Sequence, residues 1–249
     1  MIGPTCTVGA HNDFTQFGPC PNTNEPTSEP NYTAPKNIYP EYFTMDWTML
    51  FVPDVNDTPP YKNNTPNTPY NMTYGRTWYD TTFEGGAMRE SYYQRCIPVF
   101  PFGSLSGRND FSCEFVTLNS NHTAYLILNK TDKPPNAPDC CIIGQPFHAP
   151  PRTFADGLQV KFESMVDGTH VNWNAVWLEG AGIFNYGFNE ENVPFIFYMQ
   201  GIPDVANWLY QKFTNFQEVR PPQNTWKIPQ SCYDAKHCPG WPVTPIPPV

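Results

Sequence analysis

Five histidines, His11, His122, His148, His170 and His237, are the side chains best suited to moving protons near neutral pH. They lie far apart in the sequence, and none sits in a nucleophile or metal-ligand motif. His148, beside Phe147 and Pro150, reads as a structural or surface imidazole. No G-x-S-x-G, H-E-x-x-H or P-loop pattern occurs. Gly180 and Gly182 with Gly187 miss the dinucleotide fingerprint, because strand-like sequence follows where a helix is required. Glu190 with Glu191, and Asp80 with Glu84, offer carboxylate pairs for acid–base work, but all four read as solvated turn residues. The expectation is a non-enzymatic protein with no catalytic residue, no metal ligand and no assigned cofactor.

The cysteines carry a clearer message. There are eight: Cys6, Cys20, Cys96, Cys113, Cys140, Cys141, Cys232 and Cys238. Their spacings fit no zinc motif, so disulfides are the expectation, and with them an oxidising, extracellular setting. Eight cysteines allow roughly a hundred connectivities; a local Cys6–Cys20 bridge, and one tying the 140/141 pair to the first half of the sheet, are expected among them. Six N-glycosylation sequons, at Asn31, Asn56, Asn63, Asn71, Asn121 and Asn129, exceed the two or three that chance gives in such a chain, by a rough count. They imply N-linked glycans. The opening MIGPTC has neither a charged nor an apolar leader-like region, so secretion implies a leader outside the sequence shown.

One set of residues suggests a binding site: Trp173, Trp177, Phe184, Tyr186, Phe188, Phe195, Phe197 and Met199. In a two-layer sandwich these side chains are core. In a curved sheet that does not close, they line a cavity for an acyl chain, a lipid or a pigment. Both readings stand at this level.

These residues fall in the stretch from Cys140 to Met199, where large apolar residues alternate between Gly, Asn and Asp. Period two predicts an antiparallel meander of about four strands, with a turn at Asp167-Gly168. Upstream, Phe43, Met45, Trp47, Met49 and Phe51 alternate in a first strand over 42–52. A polar loop with three sequons fills 53–73, and a hairpin over 74–83 and 87–93 turns at Glu84-Gly85-Gly86. Residues 96–103 form a Pro-punctuated edge, and strands follow at 111–118 and 124–128. Downstream, 204–209 reads as a short helix or turn, and 210–219 as a strand.

Thirty prolines in 249 residues, gathered in loops and at both ends, argue against a helical protein. Residues 1–41 read as an extended Pro/Asn-rich arm, 42–232 as the β domain and 233–249 as a Pro-rich tail. A net charge of −9 with scattered Lys and Arg excludes nucleic acid as a partner, and no apolar run is long enough for a helical membrane span. The arm or the tail offers self-association with a neighbouring copy, the route to an extracellular fibre, matrix or coat.

The Cys141-x5-Phe147-x2-Pro150-Pro151-x2-Phe154 block resembles the ependymin-related family. So do the Trp177 strand before Gly180, the Tyr186-x-Phe188 strand, Val193-Pro194-Phe195, and Trp226-x-Ile228-Pro229-x2-Cys232. The resemblance runs from about Tyr42 to Cys232. It implies a secreted, disulfide-bonded, N-glycosylated protein, mainly β, with a curved antiparallel sheet as a LolA-like half-barrel, or else a two-sheet fold, and at most one or two short helices. It also implies an apolar cavity and an association with calcium, although no D-x-D-x-D-G loop is present. Adjacent Cys140-Cys141 and the long Pro-rich ends depart from the family pattern.

Overall fold

The computed structural model describes residues 36–54, 56–58, 61, 66–97, 110–158, 160–178, 182–201 and 208–239. Among the described residues eleven strands form one antiparallel sheet: β1 Tyr42–Phe51, β2 Asn71–Asp80, β3 Ala87–Tyr92, β4 Cys113–Leu118, β5 Thr123–Leu128, β6 Cys140–Gly144, β7 Val160–Val166, β8 Thr169–Leu178, β9 Gly182–Asn189, β10 Pro194–Gln200 and β11 Leu209–Gln217. Their spatial order is β6-β5-β4-β3-β2-β1-β11-β10-β9-β8-β7. The chain therefore lays down two meanders that meet where β1 pairs with β11, with β6 and β7 at the two edges. One sheet, not two, resolves the alternatives left open by the sequence.

Alternation fixes which side each residue takes. In β1, Phe43, Met45, Trp47, Met49 and Phe51 are all buried on one face, while Asp46 on the other binds Arg76 at 2.6 Å and Asn215 at 2.8 Å. The β7–β8 turn is Asp167-Gly168 with φ of 50° and 76°, the pair of positive values that a type I′ hairpin needs and that Gly takes without cost. Gly75 of β2 has a different reason. A Cβ there would lie 1.9 Å from the Ser91 carbonyl oxygen and 2.3 Å from the Trp47 ring, so the missing side chain is what lets the indole lie across β2.

The sheet curls. In a flat sheet β2 and β9 would lie four strand spacings apart, roughly 19 Å. Yet the Tyr39 ring is 6.1 Å from Tyr79 on β2 and 5.3 Å from Phe188 on β9. The concave face holds the largest apolar cluster, including Trp47, Met49, Tyr92, Leu126, Met199 and Leu209.

Three irregular segments cover the rest. Val52, Tyr61 and Tyr70, between β1 and β2, pack with Trp208 against the convex face of β8, β10 and β11. Asp57 anchors this loop by accepting from the Thr68 amide and hydroxyl and from Asn67. Residues 223–235 lie on the convex face of β3 to β6, where Trp226 packs on Phe83, and Arg89 bonds Glu114 and donates to the Thr225 carbonyl; Cys238 beyond them reaches the concave cluster. Residues 145–158 run from β6 to β7, the two opposite edges, across the concave side.

Several expectations change. Cys140 and Cys141 bond Cys232 and Cys238, not the first half of the sheet; there the bridge is the local Cys96–Cys113. Adjacent residues on a strand point to opposite faces, so the paired cysteines clamp the C-terminal segment from both sides of β6. Ile142 also exchanges backbone bonds with Lys236 and Cys238, which covers the edge of β6. Asp80 is not a solvated turn residue: it is buried, and its carboxylate caps the following turn at the Thr82 amide, 2.8 Å away. Tyr39, placed by sequence in the arm, packs into the domain. Leu209, read as part of a helix or turn, begins β11, and Trp208 before it is buried. Cys6, Cys20, residues 1–35, 98–103, 204–207 and 240–249 lie outside the described residues.

Candidate ligand-binding trough

The curled sheet makes a trough with an apolar floor. Strand pairing puts Tyr79, Thr77 and Gly75 of β2 opposite Phe43, Met45 and Trp47, then Met88, Glu90 and Tyr92 of β3, then Thr117, Phe115 and Cys113 of β4. On the other side of β1 the same face carries Leu209, Gln211 and Phe213 of β11, Phe197 and Met199 of β10, and Phe184 and Tyr186 of β9. Phe115, Phe147, Phe184, Tyr186, Phe197 and Phe213 are only partly buried, although their neighbours Trp47, Met49, Leu126 and Met199 are fully so. Their rings interlock: Phe184 with Phe197 at 5.9 Å, Tyr186 with Phe197 at 4.9 Å, and Phe115 with Phe147 at 5.9 Å.

The 145–158 segment bridges the trough like a strap. The Phe147 amide donates to the His122 carbonyl at 2.8 Å, the Ala149 amide to Asn119 Oδ1 at 2.7 Å and the Tyr79 hydroxyl to the Pro150 carbonyl at 2.7 Å. Arg152 and Tyr39 exchange two bonds, and Phe154 meets Tyr186 edge to face at 5.3 Å. Pro146, Pro150 and Pro151 suit a segment that must cross without pairing as a strand.

Glu90 places a carboxyl on the trough floor beside the polar side chain of Thr77. Its carboxyl accepts from the Tyr92 hydroxyl at 3.1 Å and from Thr77 at 3.4 Å, and Thr77 accepts the Trp47 indole N–H at 3.1 Å. Burial pushes the Glu90 carboxyl above the usual carboxylate range, and the two hydrogen bonds only partly oppose it. Burial also raises Tyr39, Tyr92 and Tyr186, and a charge on Glu90 raises each further. Tyr186 belongs to β9 and Glu90 to β3, five steps away in sheet order, and Tyr39, in contact with both Tyr79 of β2 and Phe188 of β9, spans the trough between the two walls.

The eight aromatic and apolar residues singled out in the sequence divide. Phe184, Tyr186, Phe188, Phe197 and Met199 lie on the concave side. Trp173, Trp177 and Phe195 lie on the convex side: Trp173 pairs with Gly187, stacks on Phe162 at 5.8 Å and donates to Ser164, and Trp177 is 59% exposed. Phe195 follows them because a bulge between Pro194 and Ile196 turns it outward, over Lys212. Glu90, Tyr39 and the Phe147–Phe154 strap were not singled out as site residues. Alternation in 87–92 was the available signal for Glu90, since it shares parity with Met88 and Tyr92.

His122 and His148 come together, ring centroids 4.7 Å apart, both exposed. Among the described residues no three His, Cys, Asp or Glu side chains are placed to hold a metal ion, and no helix is long and apolar enough to cross a membrane. Of the sequons, Asn56, Asn121 and Asn129 are exposed and Asn71 is half-buried, while Asn31 and Asn63 lie outside the described residues.

No family model and no curated protein matches the chain. Solved structures do: MucB, with a TM-score of 0.38 and 13% identity over 79% of this chain and 60% of that one; the Pseudomonas aeruginosa MucA/MucB complex, at 0.35 and 13% over 77% and 56%; and a LolA superfamily protein from Nitrosomonas europaea, at 0.36 and 6% over 78% and 93%. The chain thus spans less than two thirds of the MucB chains it matches. These are likenesses of fold alone.

Proposed function

We propose that this chain is a secreted, disulfide-bonded, N-glycosylated, non-enzymatic binding protein that holds a hydrophobic ligand, such as a lipid or pigment, in the trough. One observation carries the reading. A continuous set of aromatic side chains on the concave face stays partly exposed beneath a strap, where a closed core would have buried it. Three disulfides among the described residues support an oxidising compartment. Kinship with the ependymin-related family belongs to the same proposal, supported by the ordered Cys, Trp, Pro and Phe blocks of the sequence. Extraction of the natively purified protein with organic solvent, followed by mass spectrometry, is expected to release an apolar compound in stoichiometric amount. A native mass equal to that of the glycosylated polypeptide, with no uptake of added alkyl ligands, would refute it.

A second reading, a structural subunit of an extracellular fibre, matrix or coat, draws on strand β7. Among the described residues nothing pairs with its outer edge, and Val160, Met165 and nearby Trp177 are exposed. Light scattering of the intact protein tests it: a monomer would refute it, and an assembly that collapses without residues 1 to 40 would place the contact in the arm, whereas one that persists would place it elsewhere, as at the β7 edge.

A further inference from the structure

We propose that the trough takes amphiphiles whose polar end is a protonated amine, held by Glu90. This rests on the ligand-binding reading above and adds the chemistry of the head group. Glu90 projects from the middle of β3 into the apolar trough, and its two hydrogen-bond partners, Tyr92 and Thr77, are neutral. A carboxylate offers about four acceptor positions, so positions remain for a ligand.

The chain directs its nearby cations elsewhere. Arg89, next to Glu90, points to the opposite face and is held by Glu114 and the carbonyls of Thr225 and Lys227. Arg76 is taken by Asp46 and Lys212 by Asp167. Among the described residues no ion pair involves Glu90. A carboxyl on an apolar floor without a cation is costly to keep, and an isosteric apolar side chain would avoid the cost.

The surroundings suit an ammonium group. The Trp47 and Tyr92 rings meet at 4.9 Å, the Tyr92 hydroxyl reaches the carboxyl, and Phe115 of β4 is the register partner of Glu90. Aromatic faces and a carboxylate attract a cation together. Opposite Tyr186 in the β8–β9 register, fully buried Asn174 has neither amide atom partnered among the described residues, so polar capacity remains on that wall. A fatty acid would set like charge against Glu90, and an alcohol would gain neutral hydrogen bonds only.

The test titrates the full-length glycoprotein near neutral pH with dodecylamine, dodecanol and dodecanoate, each below its micelle concentration, by calorimetry. Wild type is expected to bind the amine at least about tenfold more tightly than the alcohol. Glu90→Gln is expected to bring the amine down to the alcohol's affinity while changing the alcohol's by less than about twofold. Equal affinities in wild type, or an amine preference that survives in Glu90→Gln, would overturn the proposal and leave the trough as a binding site. Failure of wild type to bind any of the three would overturn the binding reading and this inference with it. The wild-type ratio of amine to alcohol decides the matter even where the variant does not fold.

Discussion

Removing the paired disulfides at β6 is expected to be strongly non-additive, and the size of the effect follows from the connectivity. Cys140–Cys232 and Cys141–Cys238 close loops of 92 and 97 residues. Either alone, by the chain-entropy relation, restricts the unfolded state by about 4.6 kcal/mol. With one already present, the second closes only the step from Cys140 to Cys141 plus the stretch from Cys232 to Cys238, a loop of about seven residues worth roughly 2.4 kcal/mol. Replacing either pair by serine should therefore cost about 2.4 kcal/mol, and replacing both about 7 kcal/mol, a coupling of about 2 kcal/mol. Urea unfolding of the wild type, the two double variants and the quadruple variant, followed by circular dichroism, measures all three quantities. Each double variant losing about 5 kcal/mol, or a quadruple loss equal to the sum of the two, would refute the reasoning.

Other expectations follow from single contacts. Gly75→Ala sets a methyl group against the Ser91 carbonyl and the Trp47 ring, neither of which can swing away; a loss of at least about 2 kcal/mol in urea unfolding is expected, and a neutral result would contradict the packing. Tyr79→Phe frees the Pro150 carbonyl and is expected to cost about 1 kcal/mol, with faster amide exchange at 147–154 but not in β1. Glu90 holds its proton to higher pH in the native state than in the unfolded chain. Its contribution is thus complete below the ordinary glutamate range and is lost as pH rises from there through the native value. The stability of Glu90→Gln relative to wild type is therefore expected to increase over that rise, as read from urea midpoints across pH; parallel curves would show that Glu90 ionises as freely in the folded state.

The strands were legible because one buried face imposes period two, as Phe43 to Phe51 and Phe184 to Phe188 show. The meander of β7 to β10, the Asp167-Gly168 turn and the predominance of β structure followed from that pattern and from the glycines. Side assignment was not legible. Trp173 and Tyr186 are both large and aromatic, and only the register, in which Trp173 faces Gly187, puts them on opposite faces. Phe195 and Phe197 share parity in the sequence, and a bulge separates them. The cysteine pairing depends on where the C-terminal segment returns, which no local pattern encodes. Glu90 was not singled out, because its place in the trough depends on the curl of the sheet, which no local pattern encodes.

Whether the concave face is the binding face is tested most directly by comparing Phe197→Asp with Trp177→Asp, using wild type as reference and circular dichroism to confirm folding. The measurement is equilibrium binding of a fluorescent alkyl-naphthyl probe. Loss of affinity of about tenfold or more in Phe197→Asp, with Trp177→Asp unchanged, is the predicted result. Binding that survives in Phe197→Asp and fails in Trp177→Asp would place the ligand on the convex face and contradict the account.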